Sequence, residues 1–147
     1  MSVTPLSIVL LLLVAGGCLF ALWKGGSAER AGAAIILANL ILLWAADRML
    51  AKLSSGVFGL TVDGLTALAL LVVVLRYASL WLGGVMLLIA IEFGLHAFYF
   101  VTERPFDLLH VIVNNCDTMG VVICLVAGTV AAWHARSRAA RVSLETP

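Results

Sequence analysis

Five Asp, Glu and His side chains are expected at membrane depth within long apolar stretches of this sequence, where a charged group is costly. They are Asp63, Glu92, His96, His110 and Asp117. A charged residue at the centre of a membrane-spanning helix costs about 2.5–3.5 kcal/mol even on a lenient insertion scale, and such residues usually serve a function. Imidazole exchanges protons near neutral pH, and imidazole and carboxylate together suit Zn²⁺, Mn²⁺ or iron. These residue types therefore indicate proton, ion or metal binding.

The spacing of these residues predicts that they share helix faces. Glu92 and His96 are four residues apart, and His110, Asn114 and Asp117 follow one another at spacings of four and three. Residues three or four apart lie on one face of an α-helix. We predict one buried polar cluster, made of Asn39, Asp63, Glu92, His96, His110, Asn114 and Asp117. The candidate metal ligands within it are Asp63, Glu92, His96 and Asp117.

Five apolar runs position these residues, and each is about long enough to cross a bilayer core of about 30 Å. The runs cover residues 5–23, 31–50, 57–75, 80–101 and 108–133. Ser27 and Asp107 are placed to cap the second and fifth helices. Short links make consecutive helices antiparallel neighbours. We predict an all-α fold, a polytopic transmembrane bundle of five spans forming a single membrane domain over residues 1–147, with a short cytoplasmic tail at 134–147.

The composition excludes most other classes of protein. Of the 147 residues, 63% are hydrophobic and 12% are charged, whereas a soluble domain averages about 45–50% apolar and about 25% charged residues. Soluble globular, disordered and collagen-like chains are therefore excluded. The net charge of +1 gives no reason to expect nucleic acid as a partner. The expected partner is the lipid bilayer.

The distribution of Lys and Arg predicts the orientation, because cytoplasmic loops are enriched in these residues. With the N-terminus outside, six of them lie at cytoplasmic span ends: Lys24, Arg30, Arg76, Arg136, Arg138 and Arg141. Three lie outside: Arg48, Lys52 and Arg104. We predict an external N-terminus and a cytoplasmic C-terminus, which places the polar cluster in the outer half of the bilayer. In size and hydropathy the chain is similar to small bacterial inner-membrane proteins, so we expect a multi-pass protein of that membrane.

Small residues form two further helix faces. On the fourth helix they lie opposite Glu92 and His96, at Gly83, Ala90, Gly94 and Ala97. On the fifth helix they extend the polar face, at Cys124, Gly128 and Ala132. Small residues allow membrane helices to approach closely. We predict helix packing at both faces, and the face on the fourth helix either packs within the chain or contacts a second copy or a larger membrane complex.

Three functions are compatible with this pattern. The first expectation is a non-catalytic accessory or structural subunit whose polar network fixes the helix packing. The alternative is proton, ion or divalent-metal binding or transport through the polar cluster. The third is a b-type haem protein with His96 and His110 as axial ligands, although their depths differ by about 5 Å from helical rise. No D-D-x-x-D, G-x-S-x-G or C-x-x-C motif occurs, so no catalytic residue is assigned and no cofactor is predicted beyond these alternatives.

Overall fold

The computed structural model describes residues 5–49, 55–105 and 107–145, and all regular structure in these ranges is helical. The elements are α1 (Pro5–Lys24), α2 (Ser27–Met49), α3 (Ser55–Tyr77), α4 (Leu80–Val101) and α5 (Leu108–Glu145). The predicted all-helical fold with five helices is confirmed. α5 continues beyond the predicted span, so residues 134–145 of the expected tail are helical. Lys52, which entered the count of external charges, lies outside the described residues.

Four of the helices are long and apolar enough to cross a membrane. Their apolar segments are Ser27–Ala46, Val57–Tyr77, Leu80–Val101 and Leu108–Arg141. In α1, the apolar segment is the shorter stretch Ile8–Lys24. Large apolar side chains are widely exposed on the outer surface, and Leu80 is 95% exposed. Such a surface is compatible with contact to lipid, and it indicates a membrane protein.

The helices form a closed ring in chain order. Each packs against its neighbours in the sequence, α1 packs against α5, and α2 also contacts α5 across the ring. The buried apolar core between them includes Leu70, Leu82 and Leu125, which are almost fully excluded from the surface. α2 and α5 each contact three other helices, so polar residues on these two helices can face the middle of the bundle.

The link between α3 and α4 is very short and holds the two helices antiparallel. Ala78 has a left-handed backbone conformation, with φ of 47°. Its N–H donates to the carbonyl oxygen of Val74 at 2.8 Å, which is a common way of ending a helix at a residue in the left-handed region. Residues at equal distances on either side of this link therefore lie at similar depths.

The N-terminal cap predicted for α5 is present in the structure, whereas the one predicted for α2 lies at a different residue. Asp107 caps α5 as predicted, because its carboxylate accepts the backbone N–H of His110 at 3.0 Å. Ser27 is instead the first residue of α2, so the cap predicted there lies one residue earlier. The reason is Glu29, whose carboxylate reaches back to accept the backbone N–H of Gly26 at 2.8 Å, as in one half of a capping box.

Candidate functional site

Asp63 and His96 form the centre of the polar site. Nδ1 of His96 lies 2.6 Å from Oδ2 of Asp63, and only 3% of the Asp63 side chain is exposed against 24% of the His96 side chain. The two residues belong to α3 and α4 and lie at similar distances from the Ala78–Ser79 link. The antiparallel arrangement of these helices therefore brings them to the same level.

Asn39 joins α2 to this pair. Its amide nitrogen donates to Oγ1 of Thr66 at 2.8 Å and lies 3.4 Å from Oδ1 of Asp63. The Thr66 hydroxyl in turn donates to the backbone carbonyl of Val62 at 2.8 Å. An amide side chain has two N–H donors and a hydroxyl has one, so these contacts use both N–H groups of Asn39 and the O–H group of Thr66. The result is a hydrogen-bonded group that connects α2, α3 and α4.

A row of side chains continues from His96 towards the connection between α4 and α5. The rings of His96 and His110 are stacked with centroids 5.3 Å apart, and His110 meets Tyr99 edge to face at 5.1 Å. The Tyr99 hydroxyl donates to the carboxylate of Asp107. Asp107 is exposed, and its pKa is lowered because the Tyr99 hydroxyl and the His110 backbone N–H donate to it. Protonatable groups thus extend from buried Asp63 to the surface.

Glu92 and Asp117 line a partly open cavity of about 130 Å³ between the helices. All five helices contribute to its lining, which consists of Val14, Ile36, Asn39, Leu40, Leu43, Thr66, Ile89, Glu92, Asp117, Thr118 and Val121. Asp117 is only 4% exposed. Both of its carboxylate oxygens are buried without a hydrogen-bond partner among the described residues. Buried polar atoms are nearly always hydrogen-bonded, so this carboxyl group requires an explanation.

The structure distributes the predicted cluster over two adjoining groups. One group contains Asn39, Asp63 and His96, with His110 stacked on it. The other surrounds the cavity, where Glu92 and Asp117 lie together with Asn39. Asn114 is half-buried on α5. Its backbone carbonyl accepts the hydroxyl of Thr118 at 2.8 Å, as expected for a threonine inside a helix.

The metal and haem alternatives receive no geometric support. Within residues 5–49, 55–105 and 107–145, no group of three or more His, Cys, Asp or Glu side chains is placed to hold a metal ion. Asp63 and His96 contact each other, whereas Glu92 and Asp117 line the cavity. A haem with two histidine ligands needs one on each side of the porphyrin, but the His96 and His110 rings are stacked directly on each other. These two residues do not fit a haem.

The small-residue face of α5 packs closely against α4. A Cβ atom at Gly128 would overlap the indole ring of Trp81, and a Cβ atom at Gly84 would lie 3.4 Å from Sγ of Cys124. Ala132, one turn further along α5, is half-buried. Close approach of the two helices therefore depends on the absence of a side chain at Gly128.

The small-residue face of α4 is more open. No atom lies within 4 Å of the position that a Cβ atom would take at Gly83 or Gly94. Ala90 is exposed and Ala97 is half-buried. Most of this face is therefore available for contact with lipid or with another chain.

A polar cluster that the sequence pattern did not predict lies at the opposite end of the bundle. Glu29 is 6% exposed and accepts hydrogen bonds from Nε1 of Trp81 at 3.1 Å and from the Gly26 backbone. Close by, the Arg136 guanidinium donates to the backbone carbonyl of Lys24 at the end of α1. The indication of this cluster in the sequence is the glutamate three residues after Gly26, which is the spacing of a capping box. Of the residues around it, the sequence places Lys24 and Arg136, as basic residues at cytoplasmic span ends.

No protein family, characterised protein or solved structure matches this chain. Its function is therefore inferred from the geometry of its own side chains. That geometry combines a carboxylate–imidazole pair, a row of protonatable groups leading to the surface, and an adjoining cavity with two acidic residues.

Proposed function

We propose that the protein binds and transfers protons within the membrane through a site built on Asp63 and His96. The observation that carries this proposal is the 2.6 Å contact between Oδ2 of buried Asp63 and Nδ1 of His96. A carboxyl group and an imidazole at this distance share a proton, and imidazole is the side chain that changes charge near neutral pH. Intramembrane pairs of this kind occur along proton paths.

The proposed path to the surface runs through the aromatic contacts beyond His96. The His96 ring is stacked on His110, which contacts Tyr99, and the Tyr99 hydroxyl donates to exposed Asp107. Proton transfer between the stacked imidazoles, and between the edge-to-face rings of His110 and Tyr99, requires a bridging water or a ring rotation, since neither ring contact is a hydrogen bond. Each group along the row can accept and release a proton, which supports exchange between Asp63 and the aqueous phase.

The test is proton flux into liposomes that contain the purified protein. A pH-sensitive dye is enclosed in the vesicles, and a potassium gradient with valinomycin sets the membrane potential. We expect protein-dependent acidification, and we expect Asp63→Asn and His96→Gln to lose most of it because each removes one member of the pair. Glu103→Gln is the matched control, because Glu103 is an exposed acid just beyond α4 and should leave the flux unchanged.

Infrared difference spectra between two pH values give an independent readout. We expect one of the pH-dependent carboxyl stretching bands of the wild type to be missing from Asp63→Asn, while the bands of the other acidic residues, including Glu92 and Asp117, remain. Wild-type vesicles as proton-tight as empty ones, together with no such band, would contradict the proposal.

A second candidate function is that of a non-catalytic accessory or structural subunit. It is favoured by the Asn39 hydrogen bonds, which tie α2 to α3. Interhelical hydrogen bonds in membranes contribute about 0.6 kcal/mol on average. Under this function neither the wild type nor Asp63→Asn carries protons, while Asn39→Leu lowers the free energy of unfolding. The flux measurement distinguishes the two functions, because Asn39→Leu is destabilising under both.

We also propose that the chain crosses the inner membrane of a bacterium five times, with its N-terminus outside and its C-terminus in the cytoplasm. Support comes from six basic residues on the proposed cytoplasmic side against three on the other, and from the 20-residue length of α1. A phosphatase that is active only outside the cytoplasm should be silent when fused to the C-terminus. It should be active when fused after Arg104. Strong activity of the C-terminal fusion would reverse the proposed orientation.

A further inference from the structure

The cavity beside the Asp63–His96 pair is lined by acidic side chains but by no basic ones. Two acidic residues, Glu92 and Asp117, contribute to it. The lining includes no Lys or Arg. Asp117 is more than nine-tenths buried, and neither of its carboxylate oxygens has a hydrogen-bond partner among the residues that the structure describes. Whether this carboxyl group is ionised or protonated, its burial without a partner is unfavourable.

The hydrogen-bond donors around the cavity are already used. The amide N–H groups of Asn39 are directed at Thr66 and Asp63. The hydroxyl protons of Thr66 and Thr118 go to backbone carbonyls of their own helices, each at 2.8 Å. The carboxylate and hydroxyl oxygens of the lining can still accept hydrogen bonds from an occupant. A complementary occupant therefore supplies donors and positive charge.

The rest of the lining is apolar and comes from Val14, Ile36, Leu40, Leu43, Ile89 and Val121. A bare metal ion makes no use of such walls, and the described residues offer no group of three or more metal-binding side chains. An apolar cavity of about 150 Å³ holds one benzene molecule, so a cavity of this size has room for about five or six non-hydrogen atoms. The walls and the volume together suit a short hydrocarbon body.

We propose that this cavity binds a small organic ammonium ion, with its N–H donors directed at Asp117 and Glu92 and its alkyl chain against the apolar walls. The site is separate from the Asp63–His96 pair and does not depend on the proton-transfer proposal. Charge-assisted hydrogen bonds to the two carboxylates would provide the specificity. They would also satisfy the otherwise unpartnered oxygens of Asp117.

The test uses three probes with the same number of non-hydrogen atoms. n-Butylammonium has charge and N–H donors, 1-butanol is its neutral counterpart, and tetramethylammonium has charge but no donor. Binding to the purified protein in detergent micelles is measured by titration calorimetry. We expect n-butylammonium to bind and the other two to bind at least about tenfold more weakly, because each lacks one part of a charge-assisted hydrogen bond.

The variants are Asp117→Asn and Glu92→Gln, which keep the side-chain shape but remove the charge. We expect each to weaken n-butylammonium binding about tenfold or more, while Glu103→Gln, outside the cavity, binds like the wild type. Circular dichroism confirms that each variant is folded, and Glu92→Gln serves if Asp117→Asn is not.

Three results would overturn the proposal. The first is undetectable binding of n-butylammonium to the folded wild-type protein. The second is equal binding of 1-butanol, which would show an apolar cavity without charge recognition. The third is equal binding of tetramethylammonium, which would show that N–H donors play no part.

Discussion

α4 packs closely on α5 at Gly128. We therefore expect even the small substitution Gly128→Ala to lower the stability of the protein considerably. A Cβ atom at this position would overlap the base of the Trp81 indole ring rather than the end of a flexible chain. In Gly128→Ala the ring must therefore move. Because Nε1 of Trp81 donates to buried Glu29 at 3.1 Å, the movement also breaks a hydrogen bond to a charged group.

Two costs determine the magnitude. Forcing an extra methyl group into a packed core costs about 1–3 kcal/mol, and losing a hydrogen bond to a charged acceptor costs about 1.5–3 kcal/mol. Both arise from the same displacement of Trp81, so they overlap and are not added in full. We expect Gly128→Ala to lower the free energy of unfolding by about 2–4 kcal/mol.

The measurement is equilibrium unfolding in mixed micelles, followed by circular dichroism. Gly94→Ala is the matched control, because no atom lies within 4 Å of the Cβ position there. Alanine is the better helix former by about 1 kcal/mol in water, so the control should lose no stability. Equal stabilities of Gly128→Ala and the wild type would refute the close packing of Trp81 on this glycine.

Three further predictions test other features of the fold. Ala78→Gly should raise the free energy of unfolding by about 0.5–1 kcal/mol, because Ala78 has a φ of 47° that glycine adopts without strain; an unfolding curve with no increase would contradict this. Gly94→Leu should leave insertion and helix content unchanged but weaken any self-association through the open face of α4, as measured by crosslinking in lipid; unchanged association would exclude that face. Asp107→Asn should destabilise the protein at neutral pH, and the difference from wild type should disappear as the pH falls through the lowered pKa of Asp107. The stabilisation that comes with a lowered folded-state pKa is complete above the pKa of the unfolded state and is lost as the pH falls to the folded-state pKa, so a pH-independent difference would contradict this assignment.

The helices could be predicted from the sequence because the signal for each is long and local. A run of about 20 apolar residues has few structural alternatives. The cap at Asp107 was also predictable, because an N-cap acts on a backbone group three residues away. The start of α2 was placed one residue late, because the competing side chain of Glu29 acts on Gly26.

The partners of the polar residues were harder to predict because they are set by helix rotation and tilt. Sequence spacing places Glu92 and His96 on one face of α4, but it does not distinguish which of them meets Asp63. In the structure His96 makes that contact while Glu92 lines the cavity. A difference of one helical turn thus separates the proposed proton site from the proposed cation site.

The two proposed sites are close enough to influence each other, since Asn39 and Thr66 belong to the hydrogen-bonded group and also line the cavity. An ammonium ion in the cavity and a protonated His96 are like charges in a region of low dielectric constant, so each opposes the other. Such coupling is reciprocal. If both proposals hold, n-butylammonium should bind more weakly at a pH where His96 is protonated, and His96→Gln should reduce that pH dependence. Affinity with the same pH dependence in wild type and His96→Gln would show that the two sites act independently.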